Sequence, residues 1–308
     1  MYIVAHRKLF FWITGALLAA AIGAILVWGL PLGIDFTGGS HMQVRYLPAQ
    51  AGEGERPTLS SIEAQIATTE VGAVSVRESG EDAISIRTRT LEPHEHEAIL
   101  AALSGDSSGS PQVTELSFTS VGPTLGSQFT NKALWAIFAV AFVIVLYIAF
   151  AFRKVSRPVP SWGYGLTVVA MLLIDIIVPT GFFAAYAHFT GAEVDSLFIV
   201  AMLALLGYVV NDIIVVFDRV REHLARNERE DIQEEFEITI GKSIDETITR
   251  SINTSLTVAL ALIALFFLGA EATRTFALVM LVGVVAGTFS SICRSAPLLI
   301  PIARWFNK

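Results

Sequence analysis

Residues 196–222 read SLFIVAMLALLGYVVNDIIVVFDRVRE. From Ser196 to Phe217 the only charged side chain is Asp212. About 20 mainly apolar residues suffice for a helix to cross the hydrocarbon of a bilayer, and this run is that long. It closes on Asp218, Arg219, Arg221 and Glu222, which suit a helix end at the water interface. The stretch predicts a membrane helix with a carboxylate inside it.

Five more runs of spanning length surround it, at roughly 10–30, 133–152, 162–187, 252–269 and 275–300. The whole chain agrees. Of its 308 residues 53% are hydrophobic and only 16% charged, with a mean hydropathy of +0.61. Soluble domains carry about 25% charged residues, so the composition argues against a soluble enzyme of ordinary make-up and against a disordered chain. The net charge of −7 gives no reason to expect nucleic acid. The single cysteine, Cys293, lies in an apolar run and reads as packing; one cysteine makes no disulfide framework and no Cys-rich zinc site. The first run follows His6, Arg7 and Lys8 as a signal sequence would. Its apolar length exceeds the usual 7–15 residues or so, and Leu32-Gly33-Ile34 is not a small-x-small cleavage pattern. It reads as a retained span.

Basic residues near span ends set orientation. Arg7 and Lys8, then Arg153, Lys154 and Arg157, then Arg219, Arg221, Arg226 and Arg229, and finally Arg304 and Lys308 fall on one side; Lys132 and Arg274 fall on the other. Both termini are therefore expected in the cytoplasm and residues 31–132 outside. That segment holds 13 acidic and 6 basic side chains, while the rest of the chain is balanced. The shift in composition marks a domain boundary. The expected division is 1–30 for the tail and first span, 31–132 for an extracytoplasmic domain, and 133–308 for five spans. A charged, helical, cytoplasmic connection is expected at 218–250.

Within 31–132, His41–Leu47 reads as a strand and Thr58–Thr69 as a helix capped by Ser60 or Ser61, with Ile62 and Ile66 as its apolar stripe. Ala73–Arg77 and Ala83–Thr88 read as strands around a polar turn at 78–82, Leu91–Leu103 as a helix, and Gln112–Thr119 as a strand. The order is βαββαβ, that of the ferredoxin-like split unit. The expected fold class is an all-α six-helix membrane bundle carrying this α+β domain. His94-Glu95-His96-Glu97 could be taken for a metal tract. Residues two apart do not share a helix face, and acidic groups suit a helix N-terminus, so it reads as a solvated first turn. Gly52-Glu53-Gly54-Glu55 reads as a flexible loop.

Ionisable residues inside spans are costly and usually face a bundle interior or a water path. Asp175, Asp212, Arg250 and Arg294 are such residues. Asp212 lies about 7–8 Å before Phe217 at the usual helical rise, and Arg250 lies close to the same level at the start of its span, so the two are candidates to pair. Burial raises a carboxyl pKa and a nearby cation lowers it, so such a pair is poised to exchange protons; a structural lock between two helices is the plainer alternative. Asp175 lies about 20 Å in from Trp162, at another level. Arg294 reads as a snorkelling side chain. Gly283, Ala286, Gly287, Ser290 and Ser291 suggest close helix packing. No H-E-x-x-H, G-x-S-x-G or Walker lysine loop is present. No enzyme activity, cofactor or metal is expected.

The sequence resembles the SecF family of protein-export subunits, within the resistance–nodulation–division superfamily. Four motifs carry the resemblance across essentially the whole chain. They are Gly33-Ile34-Asp35-Phe36-Thr37-Gly38-Gly39-Ser40; the run Gly207–Glu222 with Asn211, Asp212, Asp218 and Arg219; Thr249-Arg250-Ser251-Ile252-Asn253-Thr254-Ser255; and Gly287–Ile292 followed by Pro297-Leu298-Leu299. The resemblance implies a subunit that pairs with SecD, assists the SecYEG channel, and uses the proton gradient to draw an unfolded polypeptide outward. It implies that Asp212 and Arg250 take part in proton passage, and that an aspartate of the SecD partner falls where this chain has Asn211. Ile174-Asp175 departs from a His-Asp pair in the third span, which weakens a relay role for Asp175. Arg294 stands where the family is usually apolar, and Phe289 replaces a common tyrosine. A small-solute proton antiporter of the superfamily, or a purely structural stabiliser of the translocon, are the other readings. Six spans and one small domain speak against the first, and a buried Asp212 against the second.

Overall fold

The computed structural model describes residues 2–46, 58–69, 71–79, 83–104, 113–153 and 158–306. Lys154, Arg157, Lys308, the turn centre 80–82 and Gly52-Glu53-Gly54-Glu55 lie outside the described residues. The chain divides into two units, Leu32–Ala133 and the remainder, Met1–Pro31 with Leu134–Lys308.

The elements run in this order: α1 (Tyr2–Ala5), α2 (Arg7–Trp28), α3 (Ile34–Thr37), β1 (Gly39–Tyr46), α4 (Leu59–Ala67), β2 (Ser75–Ser79), β3 (Ala83–Thr88), α5 (Pro93–Ser104), β4 (Val113–Val121), α6 (Pro123–Ala151), α7 (Ser161–Thr190), α8 (Ser196–Arg229), α9 (Phe236–Leu268), α10 (Glu271–Ser290), a π-helical turn Ser291–Ser295, and α11 (Ala296–Phe306).

In the small unit the four strands form one antiparallel sheet in the order β2-β3-β1-β4. Alternation puts Met42, Val44, Ile84, Ile86 and Val76 on one face, where Ile62, Ile66, Ile99 and Leu103 from α4 and α5 close the core. The α4 cap is Thr58, not Ser60 or Ser61: its side chain accepts from the Ser61 backbone N–H. A threonine one position before the first helical residue is where the free N–H groups point. Arg89 pairs with Glu95, holding that carboxyl down at about 2. His96 departs from a solvated turn: it stacks on Phe118 with centroids 3.9 Å apart and lies 3.2 Å from Glu115.

The motif at 33–40 is a single helical turn followed by two glycines. Gly38 has φ 74° and Gly39 φ 126°, and a Cβ on either would stand 2.8 Å from the backbone of Pro123 or Thr88. Only glycine adopts these angles at little cost.

In the helical unit six helices are long and apolar enough to span a membrane; they are α2, α6, α7, α8, α9 and the continuous run from Ala272 through the π-turn to Phe306. They divide by burial. About half of the apolar window is buried in α7 (44%), α8 (50%) and the last helix (56%), against 11% in α2 and α6 and 17% in α9. The last helix therefore forms the centre, against α7, α8 and α9. Glycines set the close approaches: a Cβ at Gly283 would meet Leu205 at 2.4 Å, one at Gly287 would meet Val209 at 2.4 Å, and one at Gly181 would meet the Ala21 backbone at 2.4 Å. Cys293 is buried and unpaired, as packing requires. The segment 218–250 is not a separate connection. It is mostly the ends of α8 and α9, and only 230–235 lies between them. Just after this connection, Glu237 in the first turn of α9 receives Arg7 of α2 at 2.9 Å and also Arg304 of α11.

Candidate functional site

Asp212 sits on the buried side of α8 and Arg250 on an exposed side of α9. With Tyr208, Asn211, Val215 and Thr254 they line one cleft of about 360 Å³, its open mouth included. The cleft opens to solvent and has room for water. The four α8 residues follow from helical spacing, which returns to one face after three, four and seven positions. Arg250 and Thr254 are one turn apart on α9.

Asp212 and Arg250 share the cleft but do not form an ion pair among the described residues. The partner of Asp212 is Ser291, whose hydroxyl donates to Oδ2. The same Oγ lies 3.0 Å from the Thr288 carbonyl. Ser291 belongs to the π-turn, and the tight packing of Gly287 on Val209 one turn earlier brings it against α8. A chain of hydroxyls adjoins: Tyr208 donates to Ser255 Oγ at 2.9 Å, and Thr288 donates to the same oxygen. The sequence presents Ser291 as a small packing residue, and Ser255 and Thr288 as members of family motifs, with nothing that pairs Ser291 with Asp212. The apolar sixth span carries small residues for packing reasons, and nothing local distinguishes a packing serine from a donor.

Arg294 is the larger correction. It does not snorkel; it is 3% exposed and its Nη2 lies 3.3 Å from Asp175 Oδ1, with Asp175 1% exposed. A snorkelling arginine needs a clear path to water, and here the π-turn directs the side chain inward to α7. The guanidinium also lies 5.6 Å from the centroid of Phe289. Asp175 Oδ2 and Arg294 Nε have no partner among the described residues. Asp175 touches neither Asp212 nor Arg250 through any described ion pair or hydrogen bond.

The remaining motif residues lie elsewhere. Asp35 lies in the one-turn α3, just before Gly38 and Gly39 in the small unit. Asp218 pairs with Arg221, and Arg219 pairs with Glu222 and Glu246, about one turn along α8 from Val215 on the cleft wall. His223, nearly buried, lies 3.1 Å from Glu246. Asn253 is exposed on α9, and its carbonyl accepts from Thr257 at 2.9 Å. Among the described residues no three His, Cys, Asp or Glu side chains gather as a metal site.

Comparison with known proteins places these features in company. Residues 104–305 match the family described as protein export membrane protein SecD/SecF, C-terminal, and residues 23–46 match the SecD/SecF GG motif. Protein translocase subunit SecF of Thermobaculum terrenum is 36% identical, over 99% of this chain and 94% of that protein. The subunit of the same name from Anaerolinea thermophila is 33% identical, over 97% and 92%. The crystal structure of SecDF from Thermus thermophilus, described as a translocon-associated membrane protein, superposes with a TM-score of 0.79 at 24% identity, a likeness of fold. It covers all of this chain, which spans 39% of that longer chain.

Proposed function

The chain belongs to the SecD/SecF family of protein-export membrane proteins, and on that premise we propose that it works as a SecF subunit that couples proton flow to polypeptide export. In this reading it is a multi-pass protein of the bacterial inner membrane with both termini in the cytoplasm. The small unit, a ferredoxin-like domain by strand order, stands outside. The chain pairs with a SecD-type partner and serves the SecYEG channel and its unfolded substrate. The basic residues at span ends support the orientation. The shallowly buried faces of α2, α6 and α9, with Trp135 70% and Phe267 70% exposed, suit lipid and a partner's helices.

The observation that carries the reading is Asp212, 8% exposed, on the wall of a cleft that also holds Arg250. A carboxylate in a membrane interior that water reaches is suited to take up and release a proton. Arg250 stays charged under ordinary conditions, so it cannot carry the proton. It supplies a fixed positive charge across the cleft while Asp212 alternates between charged and neutral forms. Asn211 lies beside them without a titratable group, so a second membrane carboxylate would come from the partner. Asp175, sealed against Arg294, is read as structural.

The test is Asp212→Asn, which keeps the shape and removes the proton site. Protein level and association with the SecD-type partner are expected to persist while stimulation of export by the proton gradient disappears. Export at the level of the unchanged protein would return Asp212 to a structural role.

A further inference from the structure

The π-turn Ser291–Ser295 addresses both buried carboxylates from five residues. In an α-helix, positions three apart stand only about 60° apart around the axis, so Ser291 and Arg294 would face one neighbour. The wider i→i+5 winding separates them. Ser291 consequently meets Asp212 on α8, and Arg294 meets Asp175 on α7. Within the turn Ser295 Oγ donates to the Ser291 carbonyl, and just before it Ser290 Oγ lies 3.4 Å from Met171 Sδ on α7.

Ser291 has one hydroxyl proton and two acceptors in reach, Asp212 Oδ2 and the Thr288 carbonyl. A hydroxyl also has two lone pairs with which to accept. When Asp212 is charged, the hydroxyl donates to it. When Asp212 holds a proton, its own O–H donates to Ser291 Oγ, and the Ser291 proton turns to the Thr288 carbonyl. Both states are satisfied by rotation of one O–H bond, and the only bond made or broken is that between the proton and Asp212.

We propose that Ser291 is the positioning residue for proton exchange at Asp212, and that the Asp175–Arg294 pair anchors the π-turn that holds Ser291 in place. This rests on the reading of Asp212 as a proton site. Arg294 thereby influences Asp212 without touching it.

The test is infrared difference spectroscopy of the full chain in lipid, between low and high pH. The carboxyl band of Asp212 is identified by its loss in Asp212→Asn. In Ser291→Ala it is expected to move to higher wavenumber, since the protonated carboxyl loses its acceptor. Ser291→Thr, which keeps the hydroxyl, is expected to return it. The double change Asp175→Asn with Arg294→Met removes both charges together, which avoids stranding one of them; it is expected to shift the Asp212 band too. Proton-driven export is expected to fall about tenfold in Ser291→Ala, the scale of one hydrogen bond to a charged group.

A band present but unmoved in Ser291→Ala would overturn this inference alone, as would a shift that Ser291→Thr does not reverse. A double variant with the original band would remove Asp175 and Arg294 from it. No Asp212 band in the unchanged chain would overturn the proton reading itself.

Discussion

Asp175 and Asp212 are two carboxylates on neighbouring span helices, and both are buried, at 1% and 8% exposure. Their surroundings differ in kind. Asp175 faces an arginine in a sealed position between α7 and the π-turn. Asp212 faces a serine on one side and a cleft on the other, with its arginine across open space. In the proposed reading, burial by itself does not mark a proton site; access and the kind of partner do, because a proton needs a path and a carboxylate free to change its charge.

The strongest way to break this comparison is to remove each arginine. Arg294→Met leaves Asp175 buried without a counter-charge, and breaking a buried pair on one side costs about 3–5 kcal/mol. Arg250→Met removes an exposed cation that forms no ion pair among the described residues and is expected to cost at most about 1 kcal/mol, while abolishing proton-dependent export. Thermal unfolding in detergent and export in vesicles, measured on both, separate them. Equal destabilisation by the two changes would mean that the arginines play one structural role.

Packing provides the next test. Gly287 lies one turn before Ser291 and directly against Val209. Gly287→Ala forces the two helices apart and is expected to cost about 1–3 kcal/mol, as overpacking does, and to weaken export through loss of the Ser291 contact. Gly165 has open space at the Cβ position, so Gly165→Ala is the matched control, expected to leave both measurements near those of the unchanged chain.

Chemical access sharpens the comparison without any change in sequence. A water-soluble carbodiimide is expected to modify Asp212 through its cleft and to leave Asp175 unmodified, as read by mass spectrometry of peptides. Modification of Asp175 to a similar extent would show that it is not sealed.

The smallest effect lies in the small unit, where Arg89 and Glu95 form an exposed pair. The hydrogen bond from Arg89 holds the Glu95 carboxyl down at about 2, below its ordinary 4.5. A lowered folded-state value means that stability is present above pH 4.5 and is lost as pH falls from there toward 2. Arg89→Met is expected to flatten this part of the acid-unfolding curve of the chain and to leave export unaltered.

Much of this was legible in the residues. Long apolar runs predicted six spans because the bilayer demands length and hydrophobicity, which are properties of sequence. Period-2 and helical alternation at 41–119 located the strands and helices of the small unit, because a sheet face and a helix stripe repeat locally. Asp212 and Arg250 stood out because a charge within an apolar run is costly wherever the run folds. Tertiary structure decided what those charges meet. Arg294 read as snorkelling, since its own run is apolar and near a span end; only the π-turn, a change of winding that no local pattern announced, turns it to Asp175. Ser291 read as one small residue among several, and only the approach of the last helix to α8 at Gly287 makes it the donor to Asp212. Composition marked Asp175, Asp212 and Arg294 as charges inside apolar runs, and all three are buried. Their partners lie 79 and 119 positions away in sequence, and contacts that distant are set by how helices pack.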